Sequence, residues 1–540
     1  MSSPAFVPEA SEQRQEHASV ALNANQIGVA LLSIAFVLAL VLSLAASPRR
    51  TGDAHQYIAM ALQFAEWRPP SLSRGDEASY RTWLQSQPME SGFPDGARAV
   101  RQPALIREDR QEFSHFWLYP LLATPALTLT SMLGAHPLVA FTITNAFLLG
   151  SALVAATRVF GALAALFVLA SPVVWFLSRA QVELFTLSLI LVSIAAAASG
   201  RWGWASIAIA IAATQNPPIA ATIPLFWTGA VVEWRLAVRT RGVPRVATPA
   251  LIRRALAFAV ASIAITLIHP AYYVMRLGVV TPQQLNGGIA GIFPSWNRYF
   301  APLLDPDIGF LAWMPFTAAL TFAGGVLVVR TWSGNGREND SKPGVDAMTL
   351  ARSLRTILVL AVCLAMAMWF LFVFAQTTNV NSGGTVHISR YALWLLPLTL
   401  PALAMVTQHA QKRAPALAFS VGVLLISLYF GYFQPDQPER YVEHSPQANW
   451  LMSHHPTLYQ PLPEVFVERT LHIDGGPLRS AASESCQTIL VVAARPEQPC
   501  ELREDEKDAG MKVLAKGFNA FWIRRGTQAQ SDVEPALLTP

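Results

Sequence analysis

Residues 26–46 read QIGVALLSIAFVLALVLSLAA. The run carries no charged side chain. About 20 such residues form a helix that crosses the roughly 30 Å hydrocarbon layer of a bilayer. Similar apolar runs recur at 136–157, 159–177, 181–199, 202–215, 217–232, 255–275, 309–329, 356–375, 392–407 and 417–433, eleven with the first. Composition agrees. Across 540 residues, 53% are hydrophobic and only 14% charged, where a soluble domain carries roughly 25%. Mean hydropathy is +0.36. The expected fold is an all-α polytopic membrane protein of about eleven transmembrane helices. A soluble enzyme, a disordered chain, a collagen and a coiled coil are excluded.

Residues 1–25 are polar, with Pro4 and Pro8, and read as a disordered cytoplasmic tail. Ser43-Leu44-Ala45 has the small residues of a cleavage site, but the flank before the run holds one Arg (Arg14) against Glu9, Glu12 and Glu16. A retained anchor is the expectation. Charge in short loops sets orientation. The connection 233–254 holds Arg235, Arg239, Arg241, Arg245, Arg253 and Arg254 against Glu233, and should be cytoplasmic. Counting outward puts Arg158, Arg201, the loop 330–355 and Lys412-Arg413 on the same side. A first outer loop (47–135), 276–308, 376–391 and a tail (434–540) fall on the other. Arg49-Arg50 opposes this orientation. Residues 115–134 either span or lie in the interface, and 202–232 is one span or two broken at Asn216-Pro217-Pro218. The interfacial and broken readings keep Arg158 and Arg201 inside.

The net charge of +5 divides unevenly: the tail is net negative and the rest net positive. With the basic excess largely in short loops, it reads as an orientation signal rather than a nucleic-acid surface. The tail's apolar runs 488–493 and 518–523 read as strands of a small extracytoplasmic α/β or β-rich domain. Cys486 and Cys500 lie there and either pair or do not; Cys363 sits within an apolar run. No inverted repeat of the transporter kind is visible. One large outer loop and one polar tail suggest work at a single membrane face.

Ionisable residues at the membrane edge are functional candidates. Asp53 opens TGDAHQYIAMALQFAE (51–66), whose apolar spacing reads as an interfacial amphipathic helix. Asp53-x-x-Gln56 also matches a capping box. Glu183 opens the run 181–199, placed either for function or for an ion pair with Arg179. His115 begins the next amphiphilic stretch and reads as solvated or functional. Arg390 ends GGTVHISR (383–390). The glycine pair, His387 and Arg390 would suit a phosphate, though Arg at a membrane edge also snorkels. Arg298 is a weaker candidate of the same kind. Asp305-Pro306-Asp307 could hold a divalent cation but reads first as a turn and cap. Walker A, GxGxxG, HExxH and GxSxG patterns are absent.

This ordered set resembles the GT-C superfamily of membrane glycosyltransferases, in particular the branch of protein O-mannosyltransferases and the lipid A aminoarabinose transferase. The likeness lies in Asp53–Glu66, Phe113–Leu122 with Tyr119-Pro120, Val182–Phe185, Phe300–Pro315 and Gly383–Pro397 with Arg390-Tyr391. Two positions depart from the pattern: Ala54 stands where many members have a second acid, and Phe116 where the usual residue is Pro. The resemblance implies a GT-C-like catalytic domain over 26–433, juxtamembrane helices in the first outer loop, and an extracytoplasmic domain over 434–540. It implies transfer of a sugar from a polyprenyl-phosphate donor to a glycan, lipid or protein acceptor, at the periplasmic face of a bacterial inner membrane. Asp53 and Glu183 would be catalytic. His115, Arg390, His387 and Arg298 would hold the donor phosphate, with no metal ligand assigned and a divalent cation only an option. A flippase of lipid-linked sugars would spread ionisable residues through several depths. A non-enzymatic envelope assembly protein would need no convergence of acid and base.

Overall fold

The computed structural model describes residues 9–46, 53–86, 100–241, 249–286, 296–338, 347–377, 380, 388–409, 442–473, 478–494, 500–525 and 531–536. The chain is largely α-helical, with two small β-sheets. Among the described residues, five helices are long and apolar enough to cross a membrane: Gln26–Ala45, Pro137–Phe160, Pro249–Leu277, Ser353–Ala375 and Ala392–His409. Glu183–Ala198 and Pro315–Arg330 are shorter apolar helices.

Five is fewer than eleven, and the backbone shows why. The run 159–177 is cut by Gly161, at φ 88°, and by Pro172, leaving a helix Ala162–Leu169 and a 3-10 segment Pro172–Ser178. Residues 202–232 are broken at Pro217-Pro218 into a helix Trp202–Gln215, a 3-10 segment Pro217–Thr222 and a helix Ile223–Arg241. A 14-residue helix reaches only about 21 Å. The stretch 115–134 forms a helix Leu118–Met132 of 15 residues. The run 417–433 lies outside the described residues. Residues 9–25, expected to be disordered, instead extend the first helix back to Glu9, where Ala, Glu and Gln favour helix.

The core forms where Pro137–Phe160, Glu183–Ala198 and Trp202–Gln215 pack together. Leu149, Ala152, Ile190, Leu191, Ile194 and Ile209 are buried there. Alanines 205, 208, 210, 212 and 213 let the backbones approach closely. Only 6% of the apolar window of Pro249–Leu277 is buried. Val260 and Leu267 stand exposed on it, as lipid-facing side chains do.

Helix Glu183–Ala198 has Glu183 at one end and Gly200 just past the other. At the Gly200 end Arg355 pairs with Glu233 through Nε at 2.8 Å, and Trp202 Nε1 donates to the same carboxylate at 2.5 Å. That polar cluster is roughly 24 Å from Glu183 along the helix axis.

The loop after the first long helix begins with helix Ala54–Ala65. Helix Arg74–Gln85 follows, opened by a Ser73–Asp76 capping box. Strands β1 (Leu72–Ser73), β2 (Ile106–Arg107) and β3 (Arg110–Gln111) pair in the order β1-β3-β2. Buried Glu112 anchors the loop's end. It accepts from Tyr272 Oη at 3.0 Å and Arg276 Nε at 2.9 Å.

The tail holds a four-stranded antiparallel sheet: β4 (Ala481–Ala482), β5 (Thr488–Val492), β6 (Ala520–Arg525) and β7 (Ser531–Pro535). Leu490 opposes Trp522 across β5 and β6, and both are buried against Phe466 and Met452. Cys486 and Cys500 form a disulfide, with Cα atoms 6.1 Å apart. Cys363 is buried and unpaired.

Candidate active site

Four side chains far apart in sequence meet at the Glu183 end of the bundle. Asp53 precedes helix Ala54–Ala65, His115 precedes Leu118–Met132, Glu183 opens its own helix, and Arg390 stands just before the 3-10 turn Ala392–Leu395. Each occupies a helix approach, where the backbone is fixed but the side chain projects beyond the rod. His115 Nε2 lies 3.1 Å from Asp53 Oδ2. Arg390 Nη1 lies 3.6 Å from the same oxygen and 3.3 Å from Glu183 Oε1. Arg390 is thus shared by two carboxylates, and Asp53 by an imidazole and a guanidinium.

The capping reading of Asp53 fails on geometry. Its side chain makes no cap hydrogen bond. Gln56, the expected partner, turns away instead: its Oε1 accepts from Ser114 N and Ser114 Oγ, each at 3.0 Å, and faces His115 Nδ1 at 3.0 Å. A backbone N–H can only donate, so the Gln56 atom is the oxygen. That oxygen can only accept, so a hydrogen on Nδ1 of His115 would complete the contact; Ser114 Oγ stands 3.2 Å from the same nitrogen, and Nε2 is turned toward Asp53. Tyr57 supports the ring edge-on, with centroids 5.1 Å apart. Tyr119 packs behind Tyr57 and donates to Asn145 Oδ1 at 2.8 Å.

Arg390 is fixed by its neighbours. Nη2 donates to Tyr391 Oη at 2.9 Å. Its Nε and the Glu183 Oε2 are buried with no hydrogen-bond partner. Buried orphan groups of opposite sense side by side are costly in a closed core and suit a polar ligand. Glu183 faces Arg390, while the Arg179 guanidinium lies 4.1 Å over the Trp175 ring. The Asp53 side chain keeps 29% of its surface exposed, so it can be reached, whereas Arg390 and Glu183 keep 9% and 4%. Burial pushes the Asp53 carboxyl up. The charge and hydrogen bond of His115, joined by Arg390, outweigh it and hold the group well below the usual carboxylate range.

The other expected phosphate ligands differ. Arg298 lies on helix Trp296–Leu304 and is committed elsewhere: it donates to Ala375 O at 3.0 Å and pairs with Glu464 of the tail. An aromatic helix with one Arg gave no sign of that partner. His387 lies outside the described residues.

Asp305 and Asp307 do not form an open cation site. Asp305 Oδ1 accepts from the backbone N–H groups of Asp307 at 2.7 Å and Ile308 at 3.2 Å, a turn cap. Asp307 is fully buried against His444, Ser445 and Arg469. Burial and the Asp307 charge push the Asp305 carboxyl up; burial pushes Asp307 up as well, but His444 and Arg469 outweigh it and hold that carboxyl down. Among the described residues no group of three or more His, Cys, Asp or Glu is placed to hold a metal ion.

Sequence reasoning did not single out Gln56, Tyr57 or Tyr391 as site residues. The signal for Gln56 was present but pointed equally to a cap. No family model, curated protein or solved structure matches the chain.

Proposed function

We propose that this chain is an inverting membrane glycosyltransferase. It would move a sugar from a polyprenyl-phosphate donor to a hydroxyl of a glycan, lipid or protein acceptor, at the outer face of a bacterial inner membrane. The reading includes the finer GT-C-like arrangement, with the loop 233–254 in the cytoplasm and the tail in the periplasm. One observation carries it: a reachable carboxylate, Asp53, is clamped between His115 and Arg390 at a single end of the bundle.

The chemistry follows from that pairing. Without donor, Asp53 is held by His115 and Arg390 and is a weak base. A donor phosphate outbids a carboxylate for His115 and Arg390, because it brings more charge and more acceptor oxygens. Asp53 then loses the partners that hold its acidity down, and becomes a better base as the donor seats. The acceptor O–H gives its proton to Asp53. Its oxygen bonds to the anomeric carbon from the face opposite the phosphate. The carbon–oxygen bond to the lipid phosphate breaks, and the phosphate leaves with the electron pair. Charge building on that oxygen falls to His115 and Arg390. Glu183, held on Arg390 with one free oxygen, orients a sugar or acceptor hydroxyl. One displacement inverts the anomeric centre.

The test is transfer by the purified chain in lipid nanodiscs, with polyprenyl-phosphate sugars and a membrane-extract acceptor, read by mass spectrometry. Product dependent on Asp53 supports the reading. No product with any donor, while a lipid-linked sugar crosses the bilayer, would replace it with transport.

A further inference from the structure

The loop Asp305–Gly309 touches both the tail and the site. From the tail, His444 Nδ1 contacts Asp307 Oδ2 and Ser445 N donates to Asp307 Oδ1, each at 2.7 Å. Tyr459 Oη donates to Asp305 Oδ1 at 3.1 Å, and Ser445 Oγ donates to Pro306 O at 3.0 Å. Arg469, fully buried, closes the pocket 3.5 Å from Asp307. Leu462 and Val465 of the tail pack with Ile308, Ala301 and Val380. The turn is tight: Gly309 N donates to Asp305 O at 2.7 Å, and a Cβ at Gly309 would stand 2.6 Å from Asp305 backbone atoms.

On its other side the loop meets the strand of chain that carries Arg390. Ile308 O accepts from Ser389 N at 3.0 Å. Ser389 is fully buried, and its Oγ donates to Val380 O at 2.7 Å. Its Oγ also accepts from Tyr391 N at 3.3 Å, and its carbonyl accepts from Ala392 N at 3.0 Å. Arg390 therefore sits between two residues whose backbone is fixed through Ser389, and Ser389 is fixed by Ile308.

We infer that the tail sets the position of the Arg390 guanidinium, by way of Asp307, Ile308 and Ser389, so that Asp307 is a positioning residue for the anion-binding cation. The acidic triplet that looks like a cation ligand is the joint through which the outer domain braces the site. A buried carboxylate with three partners from another segment holds only one geometry. Removing its charge leaves Arg469 and His444 facing a neutral amide, and the loop loses its anchor. The inference deepens the proposed function, because it gives Arg390 the lipid phosphate as its ligand.

Two measurements on the full chain in nanodiscs separate the inference from that reading. In hydrogen exchange, Asp307→Asn should speed the Ser389 amide at least 10-fold, and Glu506→Gln, which loosens the far side of the tail, should not. His444→Ala reads the same joint if Asp307→Asn fails to fold. Unchanged Ser389 exchange in the folded joint variant overturns the inference whatever the protein's activity. In equilibrium binding of sugar-free undecaprenyl phosphate, Asp307→Asn should weaken binding about 10-fold in the wild type. It should add nothing in the Arg390→Ala background. Additive losses would make Asp307 a merely structural residue. Absence of phosphate binding by the wild type would remove the glycosyltransferase reading and leave the exchange result standing.

Discussion

Gln56 Oε1 accepts the Ser114 backbone N–H and faces Nδ1 of His115, both at 3.0 Å. One side chain thereby fixes the approach of the chain to His115 and holds one edge of its ring. This makes Gln56 as much a part of the site as the charges it serves, although it titrates nothing.

Replacing Gln56 with Leu keeps the volume and removes the acceptor. Ser114 N–H, half-buried, then loses that partner, at a cost of up to about 1–3 kcal/mol. The ring loses a contact on its Nδ1 edge. The variant should melt a few degrees lower and bind polyprenyl phosphate about 10-fold more weakly. Gln56→Glu, which keeps the acceptor, should retain more binding than Gln56→Leu. Calorimetry and a phosphate titration check both; equal binding by the two variants would mean that the Gln56 acceptor does not serve His115.

Arg390 serves two carboxylates, at 3.3 and 3.6 Å. Arg390→Ala removes the cation that Glu183 and Asp53 share. Donor KM should rise far more than acceptor KM, and Arg390→Lys should recover only part of the loss, because one ammonium cannot copy the guanidinium fork. Steady-state kinetics with each substrate varied in turn tests this. An effect confined to the acceptor would contradict the phosphate role.

The tail supplies a pH test away from the site. Burial pushes the Glu506 carboxyl up, but hydrogen bonds from Arg525, Ser531 and Arg503 outweigh it and hold the group at about 2. A carboxyl depressed on folding stabilises the fold above its ordinary value, near 4.5, and that support is lost as pH falls toward 2. Glu506→Gln should therefore expose β5 and β6 amides to faster exchange at pH 7. The gap from the wild type should close as pH falls below about 4. A gap that persists at pH 2.5 would mean that the loss is one of shape rather than charge.

Much of this molecule was legible in the sequence, and the failures have physical causes. Apolar runs declared the membrane character, and charges at run ends marked Asp53, His115, Glu183 and Arg390, which the fold brings together. Run length did not give helix length. The break of 202–232 at Pro217-Pro218 was legible, but Gly161 and Pro172 also divide 159–177 into a short helix and a 3-10 turn that burial, not span, stabilises. Strand content at 488–492 and 520–525 followed β-branched and aromatic residues, with ends shifted by a residue or two. Partner choice was illegible. Gln56 fits a cap or a histidine equally well, and nothing local tells Arg298 that Glu464, distant in sequence, will take it. Such contacts are decided by packing between segments, which pattern does not encode.

The central claim is that Asp53 is the base, restrained by His115 and Arg390 until the donor phosphate takes them. Sugar transfer by Asp53→Asn, measured beside phosphate binding by the same preparation, tests it most directly. The account predicts turnover lowered by about 10²–10⁴-fold with undecaprenyl phosphate bound at least as tightly as by the wild type, since a competing carboxylate is gone. Transfer at the wild-type rate, or loss of phosphate binding together with turnover in a folded variant, would contradict it.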